Sequence, residues 1–346
     1  MNIFEQIYKE IVGFFSIEPI ARIIKAGDYR VLLTFEGISA LIRPLFTLLL
    51  VFEIVKAIIS RKFKLVDYKI PFFSHVLNIL IGRFISIAVI VFCIGYFEKY
   101  ALFKTTFTWY WFIYAYIIWE LGNFIYHYYA HKIRLLWCLH STHHAPQTMN
   151  LSLAYTHFFL EGPYADFVRT ALCILLGVNP PMLLVIIFID AMWGGFIHIG
   201  EVMIKDSKWG FINKIIFTPS HHRVHHAKNS LYMDTNFSVL LNIWDRIFGT
   251  YQEQKDEEPP VYGITREMQA HSFTDSYFGE FAALVKDVAK APGIKNKILY
   301  IFMPPGWSHI GDHKTASKVR SDLLKTNYGS MDNGEVNVPV IINDKI

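Results

Sequence analysis

The sequence predicts an all-α integral membrane protein with about four transmembrane helices. Of its 346 residues, 53% are hydrophobic and 16% are aromatic, which is too apolar for an ordinary soluble domain of this length. The apolar residues also gather into runs long enough to cross a bilayer. Histidines cluster where these runs end, and this predicts a helical cap beside the membrane.

The first element, residues 1–30, is predicted to be an amphipathic helix at the membrane interface, as in helices that lie in the plane of a bilayer. Its apolar residues fall near one helical face: Ile3, Ile7, Ile11, Phe14 and Phe15. A packed soluble helix is the alternative. Glu5 and Glu10 interrupt the apolar run, so a secretory signal is not expected.

Three long apolar runs predict the first three spans, since about 20 such residues cross the hydrocarbon core. They are residues 36–59, 72–97 and 107–126. A fourth apolar region, residues 165–198, contains the break Asn179-Pro180-Pro181. It predicts a broken helical hairpin, re-entrant or just spanning, that returns His198 to the side it left.

The loops predict the orientation. Residues 60–71 carry four Lys or Arg residues, whereas residues 98–104 carry two lysines and a glutamate. The positive-inside rule therefore predicts that residues 60–71 are cytosolic. The third span then ends at the cytosolic face, and both histidine clusters belong to that side.

Four regions are expected along the chain. They are the interfacial helix at 1–30, a membrane core with the histidine clusters at 31–251, a cytosolic C-terminal helical extension at 252–313, and a polar, mobile tail at 314–346. The net charge is only +4 and no basic stripe exists, so no nucleic-acid partner is expected. Cys93, Cys138 and Cys173 form no CxxC pair, which disfavours a disulfide framework or a cysteine zinc site.

The histidine clusters hold nine of the fifteen histidines when His221 is counted. Residues three or four apart share a helix face, so each cluster can direct two or three imidazoles at one point. The patterns are His127-x-x-x-His131, His140-x-x-His143-His144 and His221-His222-x-x-His225-His226. Surface or satisfied polar histidines are expected instead at His75, His157, His271, His309 and His313.

The spacing within the first cluster predicts a bend. His131 and His140 are nine residues apart, which is about 900° on a straight helix and half a turn out of phase. One unbroken helix would aim the two patterns in opposite directions. A turn within Lys132–Leu136 is therefore expected.

All-imidazole ligation suits zinc, copper or iron, and one zinc needs only three or four ligands. Eight or nine imidazoles fit two six-coordinate metal ions better. The predicted ligands are His127, His131, His140, His143, His144, His198, His222, His225 and His226. Candidates that orient these imidazoles are Glu120, Asn123, Glu201 and His221, the last of which could alternatively bind substrate.

At these residues the chain resembles the fatty acid hydroxylase/sterol desaturase superfamily, whose members are membrane-embedded non-haem di-iron enzymes with HxxxH, HxxHH and HxxHH motifs. The segments Thr218–His226, Asp234–Phe237 and Ile243–Thr250 resemble its alkylglycerol monooxygenase-like branch. The resemblance covers roughly residues 30–313. One difference is Lys132, which follows His131 where that branch carries an acidic residue.

The resemblance implies two iron ions, O₂ and hydroxylation of a lipid C–H bond in a fatty acyl, alkylglycerol ether or sterol-like substrate. The membrane would be the bacterial inner membrane, or the endoplasmic reticulum in a eukaryote. With no GxGxxG motif or fused cytochrome domain evident, electrons are expected from a separate protein or a reduced pterin such as tetrahydrobiopterin. Candidate walls of the lipid channel are Tyr126, Trp119, Trp193 and Phe196.

Two alternatives stay open. A lipid or sterol desaturase on the same scaffold would share the first hydrogen abstraction. A membrane metal transporter or sensor is disfavoured, because the histidines lie on one side and do not line successive spans.

Overall fold

A computed structural model describes residue 5 and residues 17–27, 30–31, 34–269 and 272–329. Within these ranges the chain is helical and contains no strand, only two isolated bridges, Ile216–Leu241 and Ala227–Tyr262. The predicted face of the N-terminal helix at residues 3–15, His271 and the tail beyond residue 329 lie outside the described residues.

The helices are numbered in chain order. They are α1 (Ile17–Ala26), α2 (Phe35–Ile59), α3 (Leu65–Leu77), α4 (Arg83–Phe97), α5 (Trp109–Lys132), α6 (Arg134–His144), α7 (Glu161–Leu175), α8 (Pro180–Phe196), α9 (Pro219–His225), α10 (Ile243–Ile247), α11 (Phe273–Lys290), α12 (Gly293–Phe302) and α13 (Ala316–Gly329). Short 3₁₀ turns cover Leu151–Tyr155 and Gly210–Lys214.

One described helix is long and apolar enough to cross a membrane: the continuous helix from Leu65 to Tyr100. It joins α3 to α4 through the π-helical turn Asn78–Gly82. The predicted span began at residue 72, after Pro71, where a helix usually breaks. The helix instead continues through Pro71, which lies inside α3.

Helices also occupy the other three predicted runs, at α2, α5 and the pair α7–α8. The break between α7 and α8 is confirmed. Asn179 caps α8 by accepting a hydrogen bond from the Met182 backbone N–H, and Pro180 takes the first helical position, where its missing N–H costs nothing. How many of these helices span the bilayer, and that the cap is cytosolic, stay predictions.

A buried core joins α5, α7 and α8. Its largest side chain is Trp119, which is 1% exposed. The Arg169 guanidinium lies over the Trp119 ring, 4.8 Å from the ring centroid. Gly122 permits this packing, because a β-carbon there would lie 3.0 Å from the Arg169 Cα. The core thereby fixes the N-terminal half of α5, and the C-terminal half carries His127 and His131.

The bend predicted between the two first-cluster motifs is confirmed. α5 ends at Lys132, Ile133 has extended dihedrals (φ −120°, ψ 120°), and α6 starts at Arg134. Helix α11 then packs on α6, where Thr142 Oγ1 donates to the Ser276 carbonyl oxygen at 3.2 Å. The bend folds α6 back so that its histidines face those of α5.

Candidate metal centre

Nine buried histidines divide into two groups, and each is at most 7% exposed. Within each group, one nitrogen from every ring lies within 4.8 Å of the others. Group A is His127, His131, His140, His144 and His225, and group B is His143, His198, His222 and His226. The structure therefore brings together all nine of the predicted ligands.

Neighbouring residues on one helix serve the two groups. His143 and His144 point to different groups, and so do His225 and His226. Successive helical residues differ by about 100° in direction, so an HH pair at the junction of two centres supplies one ligand to each. The groups consequently adjoin, with the His144 and His226 rings stacked at 4.4 Å between centroids.

The nitrogen spacing matches that of ligands around an ion. His127 Nε2 lies 3.0 Å from His140 Nε2, and His222 Nε2 lies 2.8 Å from His198 Nε2. Two nitrogens at right angles, each about 2.0–2.1 Å from one ion, would be about 3 Å apart. The rings are thus already placed at the separations that metal ligands adopt.

The opposite ring nitrogens are held by oxygen acceptors. Nδ1 contacts carbonyl oxygens in four histidines, at 2.7–3.1 Å. The pairs are His127 with Phe237, His143 with Thr156, His198 with Gly194 and His225 with Thr235. A carbonyl can only accept, so Nδ1 carries the proton and Nε2 is left as the free ligand atom.

Two ligand atoms lack any partner. The Nε2 atoms of His131 and His225 are buried and make no hydrogen bond. An unsatisfied buried polar atom is costly, and a bound cation would remove that cost. These orphaned atoms and the all-imidazole donor set fit two transition-metal ions such as iron.

The electrostatics favour neutral imidazoles. Burial, reinforced by neighbouring imidazoles, holds the pKa well below its usual range in six of these histidines. They are His127, His143, His144, His222, His225 and His226. A neutral imidazole is the form that binds a metal.

Two carboxylates contact the ligands, and sequence reasoning missed both. Glu161 Oε1 accepts from His140 Nδ1 at 2.6 Å, and its Oε2 lies 3.0 Å from His157 Nδ1, within ion-pair distance. Burial opposes its ionisation, but the two histidines outweigh burial and lower the Glu161 pKa. His157, expected to be an ordinary polar or surface residue, stacks on His143 with 4.4 Å between centroids.

The second carboxylate is Asp234, whose Oδ1 lies 3.4 Å from His131 Nδ1 while Oδ2 accepts from Lys132 Nζ at 2.5 Å. Asp234 has a positive φ of 55°, a conformation that Asp tolerates better than most residues. Lys132, the departure from the family pattern, therefore neutralises an acid that contacts a ligand. Its pairing with Asp234 was not visible in the sequence, because 102 residues separate the two.

The loop after His198 is fixed by the side chains of two residues from distant helices. Glu53 in α2 is fully buried and accepts from the Gly200 backbone N–H at 2.6 Å and from the Leu151 N–H at 2.7 Å. Arg223 in α9 donates to the carbonyl oxygens of Ile199 and Ile204 at 3.1 and 2.7 Å. Both therefore fix the loop that directly follows His198.

Comparison with known proteins finds similarity over the part of the chain that holds the histidines. The fatty acid hydroxylase family model matches residues 112–250. Alkylglycerol monooxygenase from Homo sapiens is 31% identical over 222 residues, which are 61% of this chain and 46% of that protein. The Danio rerio protein of the same name is 30% identical over 200 residues, 58% of this chain and 43% of the relative.

Residues 112–250 match a fatty acid hydroxylase domain. Together with relatives at about 30% identity, this supports the fatty acid hydroxylase superfamily and its alkylglycerol monooxygenase-like branch. A bacterial relative, ornithine lipid hydroxylase from Rhizobium tropici, is 28% identical over 149 residues, 43% of this chain and 44% of that protein. The chain spans less than half the length of these curated relatives. No solved structure matches it.

All nine grouped histidines lie inside the fatty acid hydroxylase domain, but two residues predicted to orient them do something else. Glu120 accepts hydrogen bonds from the backbone N–H groups of residues 239–241 at 3.2–3.4 Å. Asn123 donates to Asp190 at 2.9 Å and accepts from Arg169. Within the described residues neither contacts an imidazole, because their turns of α5 face the core.

The other two are corrected in the same way. Glu201 is exposed and accepts from the Tyr262 hydroxyl at 2.7 Å. His221 belongs to a capping box with Thr218 at the start of α9, and its Nε2 contacts the Tyr251 hydroxyl at 3.0 Å. Both ring nitrogens of His221 are thus engaged in holding α9, away from both ligand groups.

The four candidate channel residues do not share one surface. Tyr126 stacks on the ligand His127 at 5.6 Å between centroids, whereas Trp119 is buried in the core. Trp193 donates to the Phe217 carbonyl oxygen at 3.0 Å and packs against Phe196. Tyr126 alone touches a grouped histidine, so a channel wall formed by all four is not supported.

Proposed function

We propose that this protein is a membrane-bound, O₂-dependent lipid hydroxylase that uses two iron ions, one in each histidine group. The observation that carries the proposal is the burial of nine imidazoles in two adjoining groups, with the Nε2 atoms of His131 and His225 left without a partner. The names of the relatives, alkylglycerol monooxygenase and ornithine lipid hydroxylase, support a lipid substrate.

The balanced reaction is R–H + O₂ + 2 e⁻ + 2 H⁺ → R–OH + H₂O. Two bound irons would supply O₂ activation and cleavage of the unactivated C–H bond, which side chains alone cannot achieve. The chain itself fixes the imidazoles through Glu161, Asp234 and backbone carbonyls. Burial of all nine rings would limit the access of bulk water to two ions bound between them.

The two electrons require a separate donor, either a redox protein or a reduced pterin such as tetrahydrobiopterin. The substrate is a fatty acyl, alkylglycerol ether or sterol-like lipid of the surrounding membrane. We place the metal groups on the cytosolic side, following the charge bias of the loops.

The test is purification of the full chain in detergent after expression with iron, followed by metal analysis and O₂ uptake with a chemical reductant and membrane lipids. We expect about two irons per chain and a lipid product that has gained one oxygen. His143→Ala is expected to abolish the product, and His309→Ala, which changes an exposed histidine outside both groups, is the matched control.

Three results would change the conclusion. A product that has lost two hydrogens without gaining oxygen would assign a desaturase. Loss of metal in His143→Ala without loss of oxidation would refute both enzyme hypotheses. Tight metal binding with no O₂ uptake under any reductant would favour a metal sensor or transporter.

A further inference from the structure

An exposed apolar patch lies on two segments that flank the third histidine motif. Six large hydrophobic side chains form it, with exposed fractions from 42% to 71%. They are Phe211, Ile212, Ile215, Ile243, Ile247 and Phe248. An apolar patch of this kind marks an interaction surface.

The two segments lie side by side. The Asn242 backbone N–H donates to the Ile215 carbonyl oxygen at 3.0 Å, and the Asn242 side chain donates to the Asn213 carbonyl oxygen at 2.7 Å. The Phe217 N–H donates to the Leu240 carbonyl oxygen at 2.7 Å. The patch is therefore one structural unit, formed by one segment before α9 in the chain and one after it.

This unit is attached to the middle of α5, inside the third predicted span. Trp244 Nε1 donates to the Ile117 carbonyl oxygen at 3.3 Å, and Phe248 stacks on Phe124 at 4.9 Å between centroids. Both α5 residues fall within the predicted span 107–126. The patch thus lies beside a part of α5 that is expected at membrane depth.

The backbone N–H groups of this unit also have hydrogen-bond partners within the protein, as non-helical backbone in lipid requires. Non-helical segments at membrane depth need internal partners for their N–H groups. The buried Glu120 carboxylate accepts three consecutive N–H groups, those of residues 239–241, and the Asn242 N–H has the Ile215 carbonyl oxygen. This gives Glu120 a role that its sequence position did not reveal.

The charges favour a lipid surface as the partner. In residues 209–216 and 240–249 the basic residues Lys214 and Arg246 are exposed, whereas Asp245, the one acid, is buried under hydrogen bonds from the Phe237 and Ser238 N–H groups. Apolar side chains flanked by exposed cations are typical of surfaces that enter the bilayer at its anionic headgroups.

We propose that this patch is embedded in the bilayer, where it anchors the segment bearing His222, His225 and His226 at the lipid surface. The proposal does not depend on metal binding or on hydroxylase activity. It places the third histidine motif next to the acyl region, whereas a free cytosolic cap would have to extract its lipid first.

The test is site-directed spin labelling of the full chain in vesicles of phosphatidylcholine and phosphatidylglycerol. Phe211→Cys and Ile247→Cys report on the patch, in a background where the three buried native cysteines are replaced by alanine. Ala289→Cys, on an exposed position of α11, is the matched control. Ile212→Cys and Ile243→Cys replace the first pair if either fails to fold.

We expect O₂ to relax the labels at 211 and 247 more strongly than a water-soluble nickel chelate does, giving a positive depth parameter. The label at 289 should give a negative one. A negative depth parameter at 211 and 247 would overturn the proposal. So would exclusion of both reagents together with spin–spin broadening, because that result assigns the patch to contact with a second copy of the chain.

Discussion

At the residue scale, Glu161 is the side chain whose removal should test the centre most directly. It holds His140 of group A at 2.6 Å and also His157, whose ring stacks on His143 of group B. A ligand imidazole loses orientation and basicity without its carboxylate. Glu161→Gln is therefore expected to weaken metal binding about 10–100-fold.

The measurement is iron content against free iron concentration, together with the oxidation rate. Glu201→Gln is the matched control, since Glu201 is exposed and contacts Tyr262 outside both groups. Equal loss of metal in both variants would mean that the contact between Glu161 and His140 has no special role.

Glu53 gives a second prediction at this scale. Its two oxygens accept the N–H groups of Gly200 and Leu151, so an amide nitrogen in place of one oxygen would face an N–H donor. Glu53→Gln should displace His198, which belongs to group B alone. We expect about one iron per chain, against the two proposed for the unaltered protein.

Arg223→Lys tests the second attachment of the same loop. A lysine ammonium cannot donate to several carbonyl oxygens at once as the planar Arg223 guanidinium does. Loss of both irons in Glu53→Gln would indicate general unfolding. Retention of both would refute the hypothesis that Glu53 positions His198 through the following loop. Thermal unfolding of each variant separates these outcomes.

At the element scale, the bend at Ile133 illustrates what periodicity can reveal. A nine-residue separation fixes the relative phase of two motifs, so a turn could be predicted from helix geometry alone. The identity of the residues around the ligands could not. Glu161 reaches His140 across 21 residues of chain, and Asp234 reaches His131 across 103. No local pattern encodes such pairings.

The same limit explains the incorrect candidates. Glu120 and Asn123 precede His127 on α5 by seven and four residues. Their side chains nevertheless face the core and residues 239–241. His221 belongs to the motif in sequence, but the start of α9 uses its ring as a cap.

Helix α11 provides the element-scale prediction. Its Glu280 is 6% exposed, accepts from Arg266 Nε at 2.8 Å and lies 3.6 Å from an Arg134 guanidinium nitrogen. Glu280→Ala would leave Arg134 with Asp287 alone and Arg266 with Asp275 alone. Loss of its charge-assisted hydrogen bond should lower the free energy of unfolding by about 2 kcal/mol. Because α6 then loses its outer support, iron affinity should fall as well.

Asp256→Ala is the matched control, since its pair with Lys208 is solvent-exposed and such pairs contribute about 0–1 kcal/mol. Chemical unfolding in detergent measures both variants. A similar small effect from the two substitutions would show that α11 does not brace α6.

At the scale of the whole molecule, hydrophobic runs predicted the helices, whereas the number of spans depends on the bilayer and stays a prediction. Among described residues one helix, Leu65–Tyr100, is long and apolar enough by itself. The others, such as α5 with Glu120 and Asn123, carry polar residues that pair inside the protein. Composition alone cannot reveal that pairing.

The buried histidines also make the whole fold sensitive to acid when metal is absent. The pKa values of His143, His144, His222, His225 and His226 lie well below the usual value of about 6.5. Below that pH the unfolded chain binds protons that the folded chain does not. Stability is therefore fully present above pH ~6.5 and is lost as the pH falls.

Each of these histidines contributes a slope of up to about 1.4 kcal/mol per pH unit. His157, whose pKa Glu161 raises against the effect of burial, has the opposite sign and offsets at most one of them.

Chelator-treated protein should thus unfold at a much lower denaturant concentration near pH ~5.5 than near pH ~7.5. His226→Asn should reduce this pH dependence, whereas His309→Asn at the surface should not. An unchanged unfolding midpoint between the two pH values would mean that the histidine groups are hydrated and protonated in the metal-free protein, contrary to their burial.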